Sequence, residues 1–163
     1  VKYLLLSALL CAQAGAQTIR SATPQELAEQ LAPPATATTR SLGSTRNLAP
    51  APRKLDLMIN FEFNSAKLQP TSKPLVAALA EAMRSERVKD IHFRVEGHTD
   101  GVGKPEYNLG LSDKRAQAVV EYLAALGVAK ERLVPQGKGD TELLLPDNPQ
   151  AMENRRVRIT TLD

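Results

Sequence analysis

The sequence predicts an α/β (α+β) fold in which two main helices pack on one sheet of about four strands, in the order βαβαββ. Two alternating runs, Leu55–Phe61 and Ile91–Val95, have the period of half-buried strands. Leu75, Val76, Leu79, Ala82 and Met83 form one helical stripe, and Leu111, Ala116, Val119, Val120, Leu123 and Leu126 form a second. The short runs Leu133–Lys138 and Asn154–Thr160 supply the last two strands.

With 163 residues the chain has room for one domain and a tail. Its net charge of +3 comes from interspersed basic and acidic residues with few aromatics, which is not a nucleic-acid footprint. At the start, Lys2 precedes the apolar run Tyr3–Cys11 and the small-residue signal Ala14-Gly15-Ala16. Residues 1–16 therefore read as a secretory signal peptide, too short to span a bilayer, and predict that the chain is exported. Cys11 offers lipidation as a rival, although Leu9 and Leu10 are larger than lipid attachment wants. Once Cys11, the sole cysteine, is removed, the mature chain has no disulfide, thiol nucleophile or cysteine-ligated zinc.

Residues 17–53 predict a short helix and a largely disordered linker. Thr23-Pro24-Gln25-Glu26-Leu27 is a capped start with Leu27 and Leu31 on one side, too brief to be more than marginal. From Ala32 to Arg53 the chain is rich in Pro, Ala, Thr and Ser, without the apolar periodicity that would offset chain ordering. At roughly 3 Å per residue such a segment could reach about 60 Å.

The folded part, 54–163, opens with the strand carrying Leu55, Leu57, Ile59 and Phe61 and leaves it through the turn residues Asn64 and Ser65. Thr71 and Pro74 introduce the first main helix. Ser112 is the expected N-cap of the second, with Asp113, Lys114 and Arg115 in its first turn and Gly127 as its left-handed C-terminal cap. Pro146–Pro149 reads as a loop.

Between the second strand and that helix lies Glu96–Arg115, a strand end, a polar glycine-rich loop and a helix start, where α/β proteins collect ligands. A first-turn Arg115 is unfavourable by roughly 0.3–1 kcal/mol unless an anion meets it. Asp100 could be that anion in a plain ion pair. Alternatively, Asp100 and Arg115 stay apart and read the ammonium and carboxylate of an amino-acid zwitterion. The residues by themselves leave both open.

Catalysis finds no support here. His92, His98 and the neighbouring carboxylates lack metal-ligand spacing, and Ser65 and Ser112 lie in no nucleophile elbow. A non-enzyme without metal or cofactor is the expectation, with His98 a structural hydrogen-bonder at the strand end. Gly101 and Gly103 serve a turn, and Asn108 caps the loop or offers its amide to a ligand. Arg155 and Arg156 should project to opposite faces of the last strand, so one faces the site, and parity does not choose between them.

Several motifs keep one order and spacing: Phe61-x-Phe63-Asn64-Ser65-Ala66-x-Leu68, Gly97-His98-Thr99-Asp100-x-x-Gly103, Asn108-x-x-Leu111-Ser112-x-x-Arg115-Ala116, Gly137-x-Gly139 and Asn154-Arg155-Arg156-Val157. From Leu55 to Leu162 the chain resembles the OmpA-like C-terminal, peptidoglycan-associating domain. The resemblance implies a sandwich of helices on a mixed sheet that binds peptidoglycan non-covalently and stabilises or anchors the cell envelope. It implies that Asp100 and Arg115 grip the zwitterionic end of meso-diaminopimelate in the stem peptide. Positions matching Asn64, Ser65, Thr99, Asn108 and Leu111 would line that pocket, assisted by Arg155 or Arg156. Asn64 stands where the family often has an aspartate. An alternative role is a periplasmic adaptor whose N-terminal segment joins an outer-membrane protein, secretion or motor complex to the wall.

Overall fold

The computed structural model describes residues 18–33 and 51–162. The expected signal peptide, Cys11 and the middle of the expected linker lie outside the described residues. The elements are α1 (Pro24–Leu31), β1 (Lys54–Leu57), α2 (Lys73–Arg84), β2 (Phe93–His98), α3 (Pro105–Ala125), β3 (Leu133–Gly139) and β4 (Val157–Thr161). None of these helices is long and apolar enough to cross a membrane.

The strands form one mixed sheet in the order β1-β4-β2-β3. β2 and β3 are parallel, joined by α3 as the crossover, while β4 runs antiparallel to β1 and β2. The expected order βαβαββ holds from β1 onward. Register sorts the two faces: Leu55 pairs with Ile159, which pairs with Val95, and all three are buried beneath α2 and α3. The opposite face carries Asp56, Arg158, Glu96 and Thr160 in the alternate positions. There Asp56 accepts bonds from Arg156 Nε at 2.7 Å and Arg158 Nε at 3.0 Å, and Thr160 donates to Glu96 at 3.2 Å. Burial opposes ionisation of Asp56, yet the two guanidiniums outweigh it and hold its carboxyl below the usual range.

β1 stops at Leu57, four residues before the alternating pattern ends. The Met58 N–H donates to Ile19 O at 2.8 Å, and Met58 and Ile59 are buried in succession, which no strand pleat on a half-open sheet would do. Beyond it the chain folds into a tight excursion closed by the Phe61–Leu68 bridge and by Glu62 N–H donating to Lys67 O at 2.9 Å. A 3-10 turn, Pro70–Ser72, leads into α2. Here the Ser72 hydroxyl accepts from the Asn60 N–H at 2.7 Å, pinning that excursion to the helix.

α3 differs most from expectation. It begins at Pro105, two full turns before Ser112, with Lys104 as N-cap. Proline at the first helical position fits, because its missing N–H has no partner to lose. Ser112 is instead fully buried inside the helix, donating to Leu109 O at 2.8 Å and accepting from the Gly139 N–H at 2.8 Å. It ties α3 to β3. Glycines permit the approach: a Cβ on Gly97 would stand 2.2 Å from Ser112 O, and one on Gly137 2.7 Å from Asp113 N. The C-terminus is as expected, with Gly127 at φ +90 and the Gly127 and Val128 N–H groups donating to Ala124 O and Leu123 O.

The N-terminal segment is also more ordered than a marginal helix. Thr23 and Glu26 form a capping box, and Leu27, Ala28 and Leu31 are buried in the common core. Pairing of Ile19 with the edge of β1 explains how so short a helix persists: tertiary burial supplies what its length does not.

Candidate functional site

The C-terminal end of β2, the start of α3, the 61–69 excursion and the segment before β4 enclose a cleft of about 820 Å3. Asn64, Thr99, Asp100, Asn108, Leu111, Arg115 and Arg155 all line it. Ser65 stands behind the wall and contributes its backbone, since its carbonyl accepts from Arg115 Nε at 3.0 Å. Asn64 takes φ 52 at the tip of the excursion, a conformation asparagine tolerates better than most residues.

Asp100 follows β2 and is tightly held. Arg155 Nη1 donates to its Oδ2 at 2.9 Å, and the Val102 N–H donates to its Oδ1 at 3.3 Å. Thr99 is anchored through its N–H to Gly139 O at 2.9 Å, while its buried hydroxyl has no protein partner. Asn108 donates its amide to Val102 O at 3.1 Å and to Asp100 O at 3.5 Å, so it caps the loop that presents Asp100.

Arg115 lies in the middle of α3, not in its first turn, and no helix-end field acts on it. Its guanidinium stacks over the Phe61 ring, 5.0 Å from the centroid. Among the described residues no carboxylate lies within ion-pair distance of it, because Asp100 pairs with Arg155 instead. Burial depresses its pKa, and the neighbouring Arg155 adds to the effect. A half-buried guanidinium with free donors and a second cation nearby is a site for an anion. The Asp100–Arg115 pair weighed from the sequence does not form.

Arg155 and Arg156 separate cleanly, although neither lies in β4. A 3-10 turn, Met152–Asn154, precedes them, and Asn154 ties down the loop by accepting from Leu145 N–H and donating to Asn148 O and Pro149 O. Arg155 enters the cleft. Arg156, 2% exposed, turns under the sheet to Asp56 and to the carbonyls of Asn154 and Glu142. As a ligand-binding candidate Arg156 is therefore corrected: its donors are spent on the opposite face.

His98 is corrected as well. It belongs to β2, is 2% exposed, and neither ring nitrogen has a hydrogen-bond partner. Burial, reinforced by Arg156 and Arg158, pushes its pKa down to about 3, so the ring is neutral near neutral pH. Among the described residues no three His, Cys, Asp or Glu side chains are grouped so that they could hold a metal ion.

Sequence reasoning missed the rim. Phe63 is fully exposed, and Tyr107 and Met152 are half exposed, all three lining the cleft beside Phe61, Gln69 and Gln150. The Phe-x-Phe spacing just before Asn64 was the available signal, obscured because alternation placed Phe61 in the core.

The site and fold define a class: a mixed-sheet module whose cleft presents an anion-seeking guanidinium beside a carboxylate. Comparison with known proteins places it. Residues 60–158 match the OmpA family, and the chain belongs to that family. It is 34% identical over 104 residues to Outer membrane protein A of Buchnera aphidicola subsp. Schizaphis graminum, covering 64% of this chain and 30% of that protein. The chain thus spans about a third of the length of that relative. Among solved structures, the OmpA-like domain of FopA1 from Francisella tularensis superposes with a TM-score of 0.58 at 26% identity, covering 67% of this chain and 71% of that one. The peptidoglycan-associated lipoprotein from Burkholderia pseudomallei superposes with a TM-score of 0.53 at 28% identity, covering 63% and 86%. OmpA-like domains of this class are non-catalytic.

Proposed function

We propose that this domain binds peptidoglycan non-covalently by clasping the free amino-acid end of meso-diaminopimelate in the stem peptide. The observation that carries the proposal is Arg115, half buried on Phe61 with no carboxylate of its own, in the same cleft as Asp100. Arg115 takes the ligand carboxylate and Asp100 its ammonium, with Arg155, already on Asp100, a second donor for the carboxylate. Membership of the OmpA family and likeness to a peptidoglycan-associated lipoprotein support the same ligand class. Residues 1–16 act as the export signal, which delivers the domain to the periplasm where that ligand occurs.

Sedimentation with insoluble sacculi tests this. The parent chain should pellet with the sacculi, and Asp100→Ala and Arg115→Ala should remain largely in the supernatant. If both variants pellet like the parent, the clasp is not in this cleft.

A further inference from the structure

We propose that residues 18–33 are a working part of the binding domain, a strap that fixes the spacing of the two cleft walls and is thereby coupled to ligand binding. The inference rests on the cleft assigned above, and the strap, like β1, lies ahead of the family match, which begins at residue 60.

Two contacts reach the two walls separately. On one side, the Ile19 N–H donates to Asp56 O at 2.8 Å and Ile19 O accepts from the Met58 N–H at 2.8 Å. Met58 is followed directly by Ile59, Asn60 and Phe61, which line the cleft and carry the ring beneath Arg115. On the other side, Arg20 pairs with Glu153 at 3.3 Å. Glu153 lies between Met152 and Arg155, two of the cleft residues of that wall. Adjacent residues of one segment thus hold both the platform of Arg115 and the turn that delivers Arg155 to Asp100.

The segment is fixed by its own burial. Leu27 and Leu31 insert into the core, and Arg53 Nη1 donates to Gln30 O at 3.1 Å near the helix C-terminus, where a cation is favourable. If the strap leaves, β1 regains an open edge and Met58 N–H loses its acceptor. The excursion that carries Phe61 then keeps its ties to Ser72 and Arg115 but loses the one at its base.

Coupling is reciprocal, so a ligand that tightens the cleft must also tighten the strap. Hydrogen–deuterium exchange of the full chain, with and without free meso-diaminopimelate, reads this directly. Exchange should slow at residues 59–62 and also at 19–32, which touch no ligand. Slowing confined to the cleft loops overturns the strap while leaving the cleft intact. No slowing anywhere, with no binding heat, overturns the cleft assignment and the strap with it.

Titration of variants gives a second readout. Arg20→Ala should weaken diaminopimelate about two- to fivefold, the range an exposed ion pair can carry, with an unchanged thermal midpoint. The exchanged pair Arg20→Glu with Glu153→Arg should restore affinity. Leu27→Ala with Leu31→Ala, which releases the whole segment, should cost about tenfold or more, on the order of 1.4 kcal/mol. Parental affinity in both Arg20→Ala and the double leucine variant overturns the proposal, and if the leucine variant does not fold, Arg20→Ala and the exchanged pair decide alone.

Discussion

Arg155 donates to Asp100 at 2.9 Å, and this pairing leaves Arg115 as the cleft's unpaired cation. The three side chains share one net positive charge, so the pocket favours a ligand that brings a carboxylate and can compete for Asp100 with an ammonium.

The two arginines should therefore differ under substitution. Arg115→Ala removes the carboxylate partner and is expected to weaken diaminopimelate by roughly 1.5–3 kcal/mol, the range for hydrogen bonds to charged groups. Arg155→Ala removes a partner but also frees Asp100, and its loss should be smaller. Calorimetric titration of both variants checks the order.

Arg156, the neighbour of Arg155, should behave in the opposite way. Replacing it with alanine leaves Asp56 to Arg158 alone and takes the donors from Asn154 O and Glu142 O, and should cost about 1.5–3 kcal/mol in urea unfolding. Wherever Arg156→Ala remains folded, its affinity for diaminopimelate should match the parent.

Glycine at 97 is a packing requirement. Gly97→Ala puts a methyl 2.2 Å from Ser112 O, a backbone atom that cannot move without lifting α3 from β2. A loss of about 1–3 kcal/mol or more is expected. Gly110→Ala, in the same helix with nothing within 4 Å of the new methyl, is the control and should stabilise by roughly 0.5–1 kcal/mol.

Acid stability should show His98 and Asp56 in succession. The His98 pKa falls from 6.5 to about 3 on folding, so between those values the unfolded chain binds a proton that the folded chain refuses. Stability is then complete above pH 6.5 and declines as the pH falls toward 3. The Asp56 carboxyl, depressed below its ordinary 3.8, contributes stability above that value, lost as the pH falls through the folded pKa. His98→Leu should flatten the upper part of the profile, and Asp56→Asn the lower part. Urea midpoints measured from about pH 2 to about pH 8 would show both.

Much of this was legible in the sequence because the core stripes and the strand alternation follow from burial on one face. The helix stripe on Leu75, Val76, Leu79 and Met83 is the α2 core, and Gly127 caps α3 as its position suggested. What failed were local readings overridden by tertiary contacts. Ser112 has the chemistry of an N-cap, but its hydroxyl serves the Gly139 N–H from inside the helix, and Pro105 is the real start. With that, the first-turn strain on Arg115 vanishes, although Arg115 still lies in the cleft for a different reason, its stacking on Phe61. Asn154 looked like a strand residue and is a loop anchor. The spacing of Leu27 and Leu31 pointed to a helix, but nothing in residues 18–33 revealed the edge pairing that helps join them to the core.

A crystal structure of the full chain with free meso-diaminopimelate tests the central claim most directly. The ligand carboxylate should lie within about 3 Å of the Arg115 guanidinium and its ammonium within the same distance of Asp100. Diaminopimelate bound elsewhere, or a cleft left to Arg155 and Asp100 alone at saturating ligand, would contradict it.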